Sequence, residues 1–301
     1  MGVQPKAYRA DFLLLLTAMI WGFAFVAQRA GLDHVGPYTY NAFRFALGGA
    51  SLLPLLALPV NKRKMPGRTG MRIFFYGGIA GIALFLGSSF QQVGLLYTTA
   101  GNAGFITGLY VIFVPVLGLL WNQKAGAGVW LGAFLAIAGM YFLSGQENFT
   151  INRGDLLVLI CAVFFAIHVI IVGWMSPKFN AVRLSVIQFF LVSVLSFIVA
   201  FITEEIILTN VLKAVIPIVY GGVFSAGVAY TLQVFAQKEA PAGHAAIILS
   251  LESVFAVFGG WLILNEPVTE RIILGCGLML AGMLSAQYQQ HKIRKNQRNQ
   301  P

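Results

Sequence analysis

The chain has 301 residues, of which 58% are hydrophobic and 10% charged, with a mean hydropathy of +0.80 and a net charge of +10. A soluble domain carries roughly 25% charged residues, so this chain has too few polar groups to cover a water-facing surface. A soluble enzyme, a disordered chain and a secreted disulfide scaffold are excluded. The basic residues sit between apolar runs, where they read as topology signals and contacts to anionic lipid heads, not as a nucleic-acid surface.

A helix needs about 20 mainly apolar residues to cross a bilayer. Ten such runs lie at 11–29, 37–59, 71–95, 101–121, 127–144, 154–175, 181–203, 212–237, 242–264 and 270–288. They lack the alternation of barrel strands, so the expected fold class is an all-α membrane protein with ten transmembrane helices. Lys6 and Arg9 precede the first run as in a signal peptide, but no small-residue cleavage site follows and the run is too long, so it counts as a span. The links are short and hold turn residues, among them Pro66-Gly67, Ser176-Pro177-Lys178, Pro241-Ala242-Gly243 and Asn265-Glu266-Pro267. With both termini in the cytoplasm, 15 Lys and Arg fall inside and 4 outside, while seven of the ten acids fall outside. Residues 291–301 form a basic tail suited to the inner leaflet. Cys161 and Cys276 lie inside apolar runs and make no disulfide framework.

The halves match each other. Arg9-Ala10-Asp11 recurs as Arg153-Gly154-Asp155, and Tyr76-Gly77-Gly78 as Tyr220-Gly221-Gly222, both at an offset of 144. Gln91 with Ala100-Gly101 recurs as Gln233 with Ala242-Gly243, at 142. Leu131-Gly132, Leu135 and Ala138-Gly139-Met140 recur as Leu274-Gly275, Leu278 and Ala281-Gly282-Met283, at 143. The expected organisation is one five-helix repeat over 1–146 and a second over 147–290. Five is odd, so the second repeat enters the membrane inverted, a mark of secondary transporters with a midplane site.

Trp21-Gly22-Phe23, the stretch Tyr97 to Phe105, Leu251-Glu252 and the stretch Gly260 to Glu266 resemble motifs of the drug/metabolite transporter superfamily, specifically its EamA-like members. The similarity covers nearly the whole chain. It implies export or exchange of small metabolites, often amino acids, across a bacterial inner membrane. Two departures stand out. Trp121-Asn122-Gln123 ends the first half where family repeats often carry Gly-Glu, and Ser253 follows Glu252 where a proline is frequent.

Charges at membrane depth are costly and mark function. Arg44 in the second run and Glu252 in the ninth are the two clear cases. Arg44 shares a helical stripe with Asn41, Gly48 and Ser51, and a guanidinium beside an amide suits a carboxylate ligand. The alternatives for Arg44 are an ion pair with Glu252 or snorkelling to the interface. Glu252, between Leu251 and Ser253, suits proton coupling, or else a permanent structural pair. His168 is either a proton relay or a packing residue.

Further polar groups expected at the site are Trp21, Gln91, Asn102, Tyr110, Tyr230 and Gln233, either lining a cavity or bonding helix to helix. Gly77-Gly78 with Gly81, and Gly275 and Gly277 with Gly282, are expected helix seams, and Pro115 a kink or hinge. Glu266 reads as a cap of the tenth helix. No metal-binding pattern and no cofactor motif is present, and an enzyme is not expected. The expected partners are a small-molecule substrate, membrane lipids and a coupling proton, with no nucleic acid. The function expected is secondary transport of small polar metabolites, and the alternative is efflux of lipophilic cations with Glu252 as counter-charge.

Overall fold

The computed structural model describes residues 5–58, 67–98, 100–120, 126–143, 153–264, 269–271, 273–282 and 284–285. Among them helix is the regular structure, and no strand occurs. The repeat boundary at 146–147, the tail 291–301 and the Asn265-Glu266-Pro267 turn lie outside the described residues.

Apolar sequence becomes helix here because lipid offers the backbone no hydrogen bonds, so every peptide group must pair locally. The helices are α1 (Pro5–Leu32), α2 (Pro37–Leu56), α3 (Gly67–Gly94), α4 (Ala100–Gly108), α5 (Tyr110–Leu120), α6 (Ala127–Leu143), α7 (Arg153–Met175) and α8 (Ala181–Thr203). They continue with α9 (Leu208–Lys213), α10 (Val215–Val219), a π-helix (Tyr220–Tyr230), α11 (Thr231–Ala236), α12 (Ala242–Leu249), α13 (Glu252–Leu264) and α14 (Ile273–Gly282). Seven segments are long and apolar enough to cross a membrane by length and composition: 8–32, 70–94, 103–120, 153–175, 181–203, 215–236 and 242–263. The α2 stretch falls below that standard of apolarity because it carries Thr39, Asn41, Arg44 and Ser51 among its apolar residues.

Three of the expected continuous runs are broken. The run 101–121 interrupts at Leu109, where amides of Leu109 and Ile112 bond three residues back, to Ile106 and Leu109. Pro115 stays inside α5, and lacking an N–H it gives none to Val111. The run 212–237 breaks at Ala214, ahead of Pro217, and then widens into the π-helix, whose Gly221, Gly222 and Gly227 permit close packing. The run 242–264 breaks at Ser250-Leu251, although no proline follows Glu252. There the Ser250 hydroxyl donates to the Ile247 carbonyl at 2.8 Å, and the backbone tightens to three-residue turns.

Seen from outside, the molecule is apolar: Ile202 and Ile216 are 78% and 79% exposed, and Phe201, Phe74 and Leu120 also face outward. Inside, polar groups are buried, including Thr17, Gln28, Asn41, Arg44, Gln188, Gln233 and Glu252. Burial of apolar surface cannot drive helices together in lipid, so close packing and interhelical hydrogen bonds must.

The hydrogen bonds run from Ser193 Oγ to Ala42 O (2.9 Å), Ser253 Oγ to Gly104 O (2.8 Å), Tyr220 Oη to Ile20 O (3.0 Å) and Tyr40 Oη to Pro217 O (3.0 Å). Each such bond contributes about 0.6 to 1.7 kcal/mol. Glycines set the close approaches. A Cβ on Gly222 would lie 2.9 Å from the Arg44 carbonyl oxygen, and one on Gly81 3.3 Å from the Gln188 Cα. One on Gly139 would lie 2.6 Å from the Gly275 carbonyl oxygen, and one on Gly282 2.8 Å from that of Gly132. Gly78 and Gly277 meet nothing within 4 Å, so those two members of the expected seams do not belong to them.

The neighbours pair in a regular way: α2 packs on α8, α4 on α13 and α5 on α12; α3 packs on α7, and α1 on the π-helix and α11. Likewise α2 packs on the π-helix and α3 on α8, while α1 packs on α13 and α5 on α7. The start of α2 is held from afar. Glu204, just past α8, accepts from the Tyr38 and Thr39 amides, each at 2.8 Å, which places a carboxylate on the positive end of the helix that carries Arg44.

Candidate functional site: a charged cavity in the bundle

A cavity of about 30 Å³ lies where α1, α2, α3, α5, α7, the π-helix, α11 and α13 converge. Arg44, Trp21, Gln91, Tyr110, His168, Tyr230, Gln233 and Glu252 are all on its wall, joined by Gln28, Phe165 and Ser225, which sequence reasoning missed. Gln28 carried a signal: on α1 it stands two turns beyond Trp21 on the same face, as a polar residue in an apolar run.

Arg44 Nη1 donates to Gln28 Oε1 at 3.0 Å. Its guanidinium carbon lies 4.7 Å from the Phe45 ring centroid and 5.5 Å from that of Tyr40, so aromatic faces support the cation. Its Nε, buried, has no hydrogen-bond partner. Glu252 opens α13, directly after the break at Ser250-Leu251, so its carboxylate sits at a helix N-terminus inside the bundle. The Tyr110 hydroxyl neighbours that carboxyl, and Glu252 Oε1 has no hydrogen-bond partner. Among the described residues Arg44 and Glu252 form no ion pair with each other, which removes the expected alternative of a permanent lock. Tyr230 lies within electrostatic reach of both.

Tyr230 also centres an aromatic wall, with ring centroids 4.6 Å from Trp21, 5.8 Å from His168 and 5.9 Å from Phe189. Trp21 Nε1 donates to the Ser225 carbonyl at 3.2 Å, an oxygen the π-helix turns toward α1. His168 Nε2 is 2.7 Å from Gln188 Oε1, and Gln188 Nε2 donates to Leu184 O at 3.1 Å. That second bond fixes the amide orientation, which makes His168 Nε2 the donor. Gln91 Nε2 donates to Thr107 Oγ1 at 3.2 Å.

One expected site residue stands apart. Asn41 is buried but off the cavity wall: its Nδ2 donates to the Ser88 carbonyl at 3.1 Å, tying α2 to α3. The stripe fails to act as one because α2 touches different neighbours along its length, with Gly48 and Ser51 against the π-helix. The Asn102 side chain lies outside the described residues. Gln237, just past α11, donates to the Val169 carbonyl at 2.9 Å.

The fold and site define a multi-pass helical membrane protein with a buried cavity lined by an arginine and a glutamate. The model of the EamA-like transporter family matches residues 8–145 and again 152–286, and the chain belongs to that family. It is similar to an uncharacterized transporter of Archaeoglobus fulgidus, 36% identical over 282 residues, covering 93% of this chain and 86% of the relative. An uncharacterized transporter of Bacillus subtilis, YoaV, is 23% identical over 281 residues, covering 90% and 94%. A chloroplastic WAT1-related protein of Arabidopsis thaliana is 25% identical over 288 residues, covering 90% and 67%. A solved crystal structure superposes with a TM-score of 0.77 over 94% of this chain and 98% of its own, at 16% identity, and shares the fold.

Proposed function

We propose that this transporter works by alternating access, exporting or exchanging small zwitterionic metabolites such as amino acids across a bacterial inner membrane. Its architecture is ten crossings in two five-helix inverted repeats, 1–146 and 147–290, with both termini cytoplasmic. One observation carries the substrate reading: an arginine and a glutamate, Arg44 and Glu252, line one cavity and, among the described residues, do not pair with each other. Arg44 receives the carboxylate and Glu252 the ammonium group, or a coupled proton when the site is empty.

The repeat reading draws on the reciprocal packing. Gly139 meets Gly275 while Gly282 meets Gly132, the pattern expected when a two-fold axis exchanges partners. The pairings of α3 with α7 and of α1 with α11 are likewise exchanged by the offset, as are the breaks at Leu109 and Leu251. The twofold match of one family model supports it further.

The test is uptake and exchange in liposomes. Two charge-assisted bonds at about 1.5 to 3 kcal/mol each make Arg44→Ala at least a hundredfold loss for amino acids. Glu252→Gln, which still accepts a hydrogen bond but cannot exchange a proton, is expected to weaken exchange and to lose its dependence on an imposed pH gradient. Unchanged transport in Arg44→Ala sinks the anchor role. A second reading is favoured by the aromatic wall of Trp21, Phe165 and Tyr230: lipophilic cations held by rings and Glu252. In that case Arg44→Ala spares cation efflux, and Glu252→Gln abolishes it.

A further inference from the structure

Cavity glutamines differ in how their amides are satisfied. Gln28 accepts from Arg44, and Gln91 donates to Thr107. Behind the wall, Gln188 bonds His168 and Leu184. Gln233 is fully buried on the wall of the same cavity, and neither its Nε2 nor its Oε1 has a hydrogen-bond partner. Its counterpart at the 142 offset is Gln91, so the same residue type at matched positions is tied in one half and open in the other. Leaving a buried amide unpaired is costly, and an apolar residue of equal size would avoid the cost. A primary amide with both atoms open presents a donor beside an acceptor on one edge. Its complement is another edge of that kind.

We propose that Gln233 is a specificity-determining residue, and that the preferred substrate carries, besides its two charges, an amide-like group that pairs edge to edge with the Gln233 carboxamide. This rests on the zwitterion reading of the same cavity. Arg44 and Glu252 fix the two ends common to amino acids, and Gln233 reads the side chain. Substrate classes that fit are amino acids with a carboxamide or urea side chain. An apolar side chain of equal length leaves the Gln233 amide unpaired and is disfavoured.

The experiment is competition uptake into liposomes with labelled glutamine and methionine, which match in length and differ in the amide. Two neutral bonds make the wild type favour glutamine by about 10- to 100-fold. Gln233→Met is expected to remove that preference by lowering glutamine uptake and leaving methionine uptake unchanged or raised. The wild-type comparison needs no variant, so it stands even where Gln233→Met folds poorly. Equal wild-type affinity for the two overturns the proposal, as does an equal loss of both in a folded Gln233→Met, which makes the amide a structural group. If Arg44→Ala abolishes both uptakes while Gln233→Met changes neither, the zwitterion reading stands and this one falls. A wild type that binds neither amino acid overturns both.

Discussion

Gly22 follows Trp21 in the first helix, and its lack of a side chain lets α1 touch α13 where Glu252 begins. A Cβ added there would lie 2.7 Å from the Glu252 carbonyl oxygen and 2.8 Å from the Ala256 amide nitrogen, besides overlapping the Phe255 Cβ. Ordinary contact starts near 3.4 Å, and the obstacles are backbone atoms and a Cβ, none of which can rotate away, so Gly22→Ala forces the helices apart by at least roughly 0.7 Å. Overpacking of this kind costs about 1 to 3 kcal/mol. It acts on the helix that aims the Glu252 carboxylate. The expected result is an unfolding midpoint in detergent lowered by roughly 2 to 10 °C, with transport reduced further than the stability loss alone dictates. Gly78→Ala is the control, since a Cβ there meets nothing within 4 Å. If Gly22→Ala matches Gly78→Ala in both midpoint and transport, close α1–α13 packing does not position the site.

Other outcomes follow from the same geometry. Removing the remote cap with Glu204→Ala frees two amides at the start of α2, costs about 1 to 2 kcal/mol, and is expected to loosen Arg44; hydrogen exchange at Tyr38 and Thr39 reports it, and unaltered protection counts against the cap. Gln28→Leu deprives Arg44 Nη1 of its acceptor, and is expected to weaken binding of an amino acid by about tenfold or more; a calorimetric titration showing wild-type affinity rejects it. Gly139→Ala is expected to separate α6 from α14, because its Cβ would press on the Gly275 carbonyl, and a thermal midpoint equal to that of Gly277→Ala argues against the seam.

Sequence alone determined that this chain lives in lipid, because 10% charged residues cannot face water. It also marked which stretches become helical, since apolar backbone in a bilayer has to bond to itself, although not the breaks at Leu109, Ala214 and Ser250-Leu251. Arg44 and Glu252, which both line the cavity, stood out for the same reason: a charge inside such a run is costly. Tertiary structure decided what the pattern could not. Asn41 and Arg44 lie on one stripe of α2, yet Asn41 bonds α3 and Arg44 turns to the cavity, because neighbours, not periodicity, assign each side chain its partner. The break before Glu252 falls where the Ser250 hydroxyl bonds the Ile247 carbonyl, with no proline to announce it. Gln28 stood out in the sequence only as a polar residue two turns beyond Trp21, and its contact with Arg44 on another helix was set by the packing of α1 on α2.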